Sequence, residues 1–89
     1  MNKETIEGIK KIINIIDNRI DILADKRKIR IDDINYTNEL YANKNNTLLM
    51  FYAYEIGALS CTIKELRMLS YDLKIRISNE LDKGIEQKE

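Results

Sequence analysis

Leu48 to Ile63 read LLMFYAYEIGALSCTI, a run in which Glu55 is the only charge. A surface helix carries one apolar stripe opposite a polar face. This run has almost no polar face, so something must cover it on more than one side. A membrane-spanning helix needs about 20 consecutive apolar residues. The run is shorter, it holds a charge, and the chain around it is 34% charged. No membrane span is expected, and the cover is expected to be protein. Ala53, Gly57 and Cys61 recur every fourth residue and so share one helix face. That face is a groove of small side chains where another backbone can come close.

Working outward, Leu49, Tyr52, Ile56, Leu59, Ile63, Leu66, Ser70, Leu73 and Ile77 follow at alternating spacings of 3 and 4. This is a coiled-coil seam. It predicts a helix over about residues 47–83, capped by Thr47 and stopped near Gly84, with a frayed tail over 85–89. Upstream, Ile6, Ile9, Ile13, Ile16, Ile20 and Leu23 show the same alternation. They predict a helix over about 5–42, with Asn2 or Thr5 as its cap. Arg27 falls on this seam, and Ile31, Ile34 and Tyr41 are read as resuming it. A second row, Ile15, Ile22 and Ile29, repeats every seven residues on another side of the same helix.

Asn43-Lys44-Asn45-Asn46 punctuates the two helices, because Asn tolerates turn conformations. Folding the chain there sets Ile34 opposite Ile56, Leu23 opposite Leu66, Ile16 opposite Leu73 and Ile13 opposite Ile77. The expected fold is all-α: one helical domain over residues 1–89, a long antiparallel hairpin with arms of about 55 Å. Two variants stay open, a kink near Asp32–Asp33 and a break near Ser60–Thr62 that would make three helices. A lone hairpin leaves apolar rows wet. Two copies dimerising into a four-helix bundle would cover them, and a C2 homodimer is the commonest arrangement.

Composition removes many chemistries. Lys and Arg together number 15, as do Asp and Glu, giving zero net charge; a duplex-DNA binder should show a basic balance. The chain has no His, no Pro, no Trp and one Cys. Zinc sites and Ser-His or Cys-His catalysis therefore lack their residues, and no metal or cofactor is expected. The lone Cys61 forms no internal disulfide, and the N-terminal MNKETIEGIKK has no secretory pattern. A reducing, cytoplasmic setting is the expectation.

Three groups are candidates for sites. Lys26, Arg27, Lys28 and Arg30 form a basic patch that the hairpin brings near Lys64 and Arg67. It could take an anion, or it could be a solvated face with Arg27 paired to Asp25 or Glu65. Tyr36, Tyr41, Phe51, Tyr52 and Tyr54 gather toward the turn, and Tyr is enriched at interfaces. With Ala53, Gly57, Leu59 and Cys61, the residues Phe51, Tyr52 and Tyr54 make the candidate interface. Cys61 itself is read as a buried small hydrophobe rather than a reactive thiol.

Ile13 to Arg27, I-N-I-I-D-N-R-I-D-I-L-A-D-K-R, resembles the first helix of the all-α class of chorismate mutases, I-D-x-I-D-x-x-I-x-x-L-L-x-x-R. Ile13, Ile16, Asp17, Ile20, Leu23 and Arg27 match; Asn14 and Ala24 depart. The resemblance implies an interlocked helical dimer, with Arg27 binding a dicarboxylate and Lys10 standing where that family supplies an arginine across the dimer. Asn38 stands where the family has an essential lysine, and residues 45–63 contain no basic residue. Ser78-Asn79-Glu80-Leu81-Asp82 also looks like the S-Q-E-L-D motif of small sporulation-phosphatase hairpins. The resulting expectation is a non-enzymatic helical protein-interaction module, an adaptor, regulator or inhibitor of the kind phages and plasmids encode. It would bind itself and another protein. The alternatives are a chorismate-mutase-like enzyme or its inactive relative, and a type VII secretion-like hairpin, although the Trp-x-Gly turn motif of the latter is missing.

Overall fold

The computed structural model describes the backbone of residues 1–41 and 46–88, and the side chains of residues 1–37 and 47–83. Two α-helices are present: α1, Lys3–Tyr41, and α2, Asn46–Lys88. They run antiparallel, as the cross-helix partners show. Met1 meets Glu80, Asp17 meets Ser70, Arg27 meets Ser60 and Arg30 meets Glu55, one number falling as the other rises. The hairpin measures 69 × 15 × 14 Å with a radius of gyration of 20.0 Å. A compact domain of this length would have a radius near 12 Å. The molecule is a rod one helix pair thick.

Asn2 caps α1. Its side-chain oxygen accepts the Thr5 amide at 2.8 Å, and its carbonyl accepts the Ile6 amide at 3.1 Å. Thr5 lies inside the helix, so of the two candidate caps Asn2 is the one used. Glu4 sits in the first turn, where a carboxylate suits the helix dipole. Neither helix is broken at the two anticipated points. α1 continues through Asp32–Asp33 and α2 through Ser60–Thr62, so the three-helix variant is excluded. No Pro is present to force a kink. α2 already includes Asn46, which places Thr47 inside it, and it runs past Gly84 to Lys88. Glu, Gln and Lys after Gly84 are good helix formers and carry the helix on. The turn at Asn43–Asn46 lies largely outside the described residues, as does the side chain of Tyr41.

The seam holds the hairpin together. Ile20, Leu23 and Ile63 form the central cluster, with Ile16, Ala24, Leu59 and Leu66 packed around it. Leu23 and Leu66 therefore share one cluster, as the fold-back at Asn45 anticipates. Ile13 and Ile77 are buried farther along. Ile63, only 1% exposed, is the tightest point, while neighbouring Leu59 is half-buried. Two polar side chains, Thr37 and Ser70, are buried on the seam. Among the described residues no buried side-chain nitrogen or oxygen lacks a partner.

One seam assignment needs correction. Ile31 is exposed. The alternation of 3 and 4 from Arg27 leads to Arg30, Ile34 and Thr37, which are half-buried or buried; Ile31 is one residue out of phase and turns to solvent. The half of α1 nearest the turn is thus held by polar side chains as much as by apolar ones.

Candidate interaction surfaces

The seam sorts the residues of the central run by direction. Leu48, Leu49, Tyr52, Ile56, Leu59 and Ile63 are half-buried or buried. Met50, Ala53, Gly57, Ala58 and Cys61 are exposed, and Phe51 and Tyr54 expose 70% and 78% of their surface. The candidate interface therefore divides. Tyr52 and Leu59 belong to the hairpin itself. Phe51, Ala53, Tyr54, Gly57 and Cys61 face outward, and four of them border one shallow depression together with Ala58. Cys61 is a free thiol, exposed in the single hairpin because α1 covers only the seam side of α2; the burial expected for it would have to come from another chain.

The outer surface of α2 continues past the run. Met50, Tyr54, Gly57, Cys61, Lys64, Met68, Tyr71 and Ile75 follow at alternating spacings of 4 and 3, and all are exposed. The row has the spacing of a seam, and α1 leaves it exposed although Arg27 borders a depression shared with Lys64, Met68 and Tyr71. Met68, Tyr71 and Ile75 are the members that reading the Leu48–Ile63 run in isolation overlooks. Carrying the spacing downstream finds them. On α1, Ile15, Ile22, Ile29 and Tyr36 are exposed at intervals of seven.

The basic patch also divides. Arg27, Lys64 and Arg67 border one depression of about 570 Å³ between the helices, along with Ser60, Ile63, Met68 and Tyr71. Arg27 Nη1 donates to Ser60 Oγ at 3.4 Å. Among the described residues, Arg27, Lys64 and Arg67 take part in no ion pair, with Asp25 and Glu65 or otherwise. Lys26 and Arg30 border a different depression, with Ile29 and Glu55. Lys28 is exposed.

Arg30 is committed to the hairpin. Its Nη1 donates to Asp33 at 2.7 Å, its Nε to Glu55 at 2.7 Å, and its guanidinium lies 5.4 Å from the Tyr52 ring centroid. Hydrogen bonds to Asp33 and then to Glu55 raise its pKa further above the usual guanidinium range. Farther along the seam, Asp17 accepts from Ser70 Oγ at 2.7 Å and from Lys74 Nζ at 3.1 Å. These bonds, with Ser70 the larger influence, hold its carboxyl below the ordinary 3.8.

Lys10 borders a third depression with Ile13, Asn14, Lys74 and Ile77. It lies about 26 Å along α1 from Arg27 at 1.5 Å per residue. Within one chain the two cations of the mutase resemblance do not converge. Asn38 lies outside the described side chains. Among the described residues no cluster of His, Cys, Asp and Glu could hold a metal ion, and no helix is long and apolar enough to cross a membrane. Comparison with family models, with curated proteins and with solved structures finds no match to this chain.

Proposed function

We propose that this chain is a non-enzymatic helical interaction module that self-associates and acts by binding another protein, as an adaptor, regulator or inhibitor. One observation carries the reading. Among the described residues the exposed large apolar side chains outnumber the buried ones, and more than half of them fall in two rows, one along each helix. Scattered apolar residues on a surface are ordinary, but continuous apolar surface marks association. The rod is too thin to bury these rows itself. A reducing, cytoplasmic setting suits the free Cys61. Light scattering at micromolar concentration tests the reading and is expected to report twice the 10.5 kDa chain mass. A folded monomer whose mass does not change with concentration refutes self-association.

A second reading, a chorismate-mutase-like enzyme or its inactive relative, is favoured by the unpaired cations at the depression beside Arg27. Such an enzyme gains its rate from fixed donors aimed at the charge that develops in the transition state. Arg27, Lys64 and Arg67 are the donors present, and Lys10 must come from a second chain. A chorismate-loss assay on the purified protein separates the readings. No rate above background is expected. Activity that disappears in Arg27→Ala with folding intact would establish the enzyme.

A further inference from the structure

Resting on the self-association proposed above, we infer that the outer row of α2 is covered by the same row of a second copy, running antiparallel. The row, Met50 to Ile75, spans about 38 Å and has the alternating spacing of a coiled-coil seam.

The row complements itself when reversed. With a twofold axis beside residues 62 and 63, Gly57 faces Met68 of the partner subunit, and Tyr54 faces Tyr71 of the partner subunit. Met50 faces Ile75 of the partner subunit at each end, so apolar meets apolar. Cys61 faces Lys64 of the partner subunit. The smallest residue thus meets a long, adaptable one. The only charge in the seam meets a small side chain, along which its stem can lie while the ammonium reaches water. The flanking charges Glu65, Arg67, Asp72 and Lys74 fall opposite neutral residues. A parallel pairing would bring Arg67 near Asp72, a rim contact worth little. It would also set Gly57 against Gly57 and Lys64 against Lys64, a void and a like-charge pair on the seam.

Gly57 is exposed within this row. A methyl group placed on it would meet nothing within 4 Å in the hairpin. Glycine is among the poorest residues for a helix interior, and here no element of its own chain uses the room it leaves. The room suits a side chain from outside. The rod as a whole also has surface to spare. The chain exposes 7146 Å², whereas a compact monomer of its mass would expose about 5,400 Å². The difference exceeds the roughly 800 Å² that each partner buries in an interface of ordinary size. The row on α1 is less suited to a dry seam, because Arg19, Lys26 and Asp33 alternate with its isoleucines.

The test uses the full chain. Gly57→Leu is expected to keep the helical circular dichroism and melting of the hairpin while weakening the dimer at least tenfold by light scattering. In a Cys61→Ser background, Tyr54→Cys and Tyr71→Cys chains are prepared separately and oxidised alone and mixed. Interchain disulfides are expected only in the mixture, joining position 54 to position 71. Disulfides in each chain alone would mean a parallel pairing and overturn the inference, as would no disulfide in the mixture. A dimer that is unweakened by Gly57→Leu overturns the inference and leaves self-association standing. A parent chain that stays monomeric overturns both.

Discussion

Ser70 and Asp17 meet across the seam of the hairpin: the buried Ser70 hydroxyl, on a residue only 3% exposed, donates a 2.7 Å hydrogen bond to the Asp17 carboxylate. A hydroxyl buried among apolar side chains is tolerable only with such a partner. The bond fixes the register of α1 against α2 at a point where isoleucines alone would allow some sliding.

A pH dependence follows. Asp17 has a folded-state pKa below its unfolded one, so its contribution to stability is full above the ordinary 3.8 and is lost as pH falls from there through the folded value. Ser70→Ala should cost about 1 kcal/mol near neutral pH, the usual worth of a hydrogen bond. It should also move the Asp17 titration up toward the ordinary value. Thermal melts and an NMR titration of the Asp17 carboxyl read both effects, and an unmoved titration would detach Ser70 from the shift.

Ile63 and Ile15 should respond very differently to the same change. Ile63 is 1% exposed and Ile15 is 67% exposed. Ile63→Ala removes buried methyl groups at the tightest packing and should cost roughly 2–5 kcal/mol. Ile15→Ala should stay within about 0.5 kcal/mol in the hairpin. Chemical denaturation of both variants checks the contrast. A large loss at Ile15 would locate a second buried surface on α1.

Arg30→Lys should lower the melting temperature, by less than Ile63→Ala does. The forked guanidinium reaches Asp33 and Glu55 at once, and a single ammonium cannot reproduce that geometry. Because these groups are partly exposed, the difference between parent and variant should shrink in high salt. An unchanged difference in melts at low and high ionic strength would refute the electrostatic account.

Arg27→Met should raise the melting temperature by a few degrees. Arg27 occupies a seam position, and its bond to Ser60 is long at 3.4 Å. An unbranched apolar side chain there would bury more apolar surface in the seam without the cost of desolvating a cation. A fall in melting temperature would make Arg27 a structural residue and remove it from the candidate anion site.

The hairpin was legible because the 3-and-4 spacing of its seams is unbroken even where Arg27, Arg30, Thr37 and Ser70 take the place of apolar residues, and the spacing holds whatever the ends do. The outer faces were less legible. Cys61 and Ala53 lie in the same run as Leu59 and Ile56, and hydropathy alone does not say which of them α1 covers; the phase relative to the seam does. Ile31 misled for the complementary reason: an isoleucine one residue out of phase looks apolar enough for the seam that Arg30 occupies. Arg30 belonged by composition to a basic patch, and only the fold brings Glu55 and Tyr52 to it. The end of α2 was misjudged because Gly84 stops a helix only when the chain leaves it in a different direction.

The single-file order of cross-helix contacts, from Met1–Glu80 through Asp17–Ser70 to Arg30–Glu55, makes the molecule mechanically anisotropic. Tension that draws the start of α1 away from the far end of α2 loads the contacts one pair at a time, like a zipper, and should open the hairpin at low force. Tension that slides α1 along α2 loads them all together and must shear the whole seam at once. The same rod is therefore soft when peeled and stiff when sheared, and a partner gripping both helices near Met1 and Glu80 would lock it against peeling.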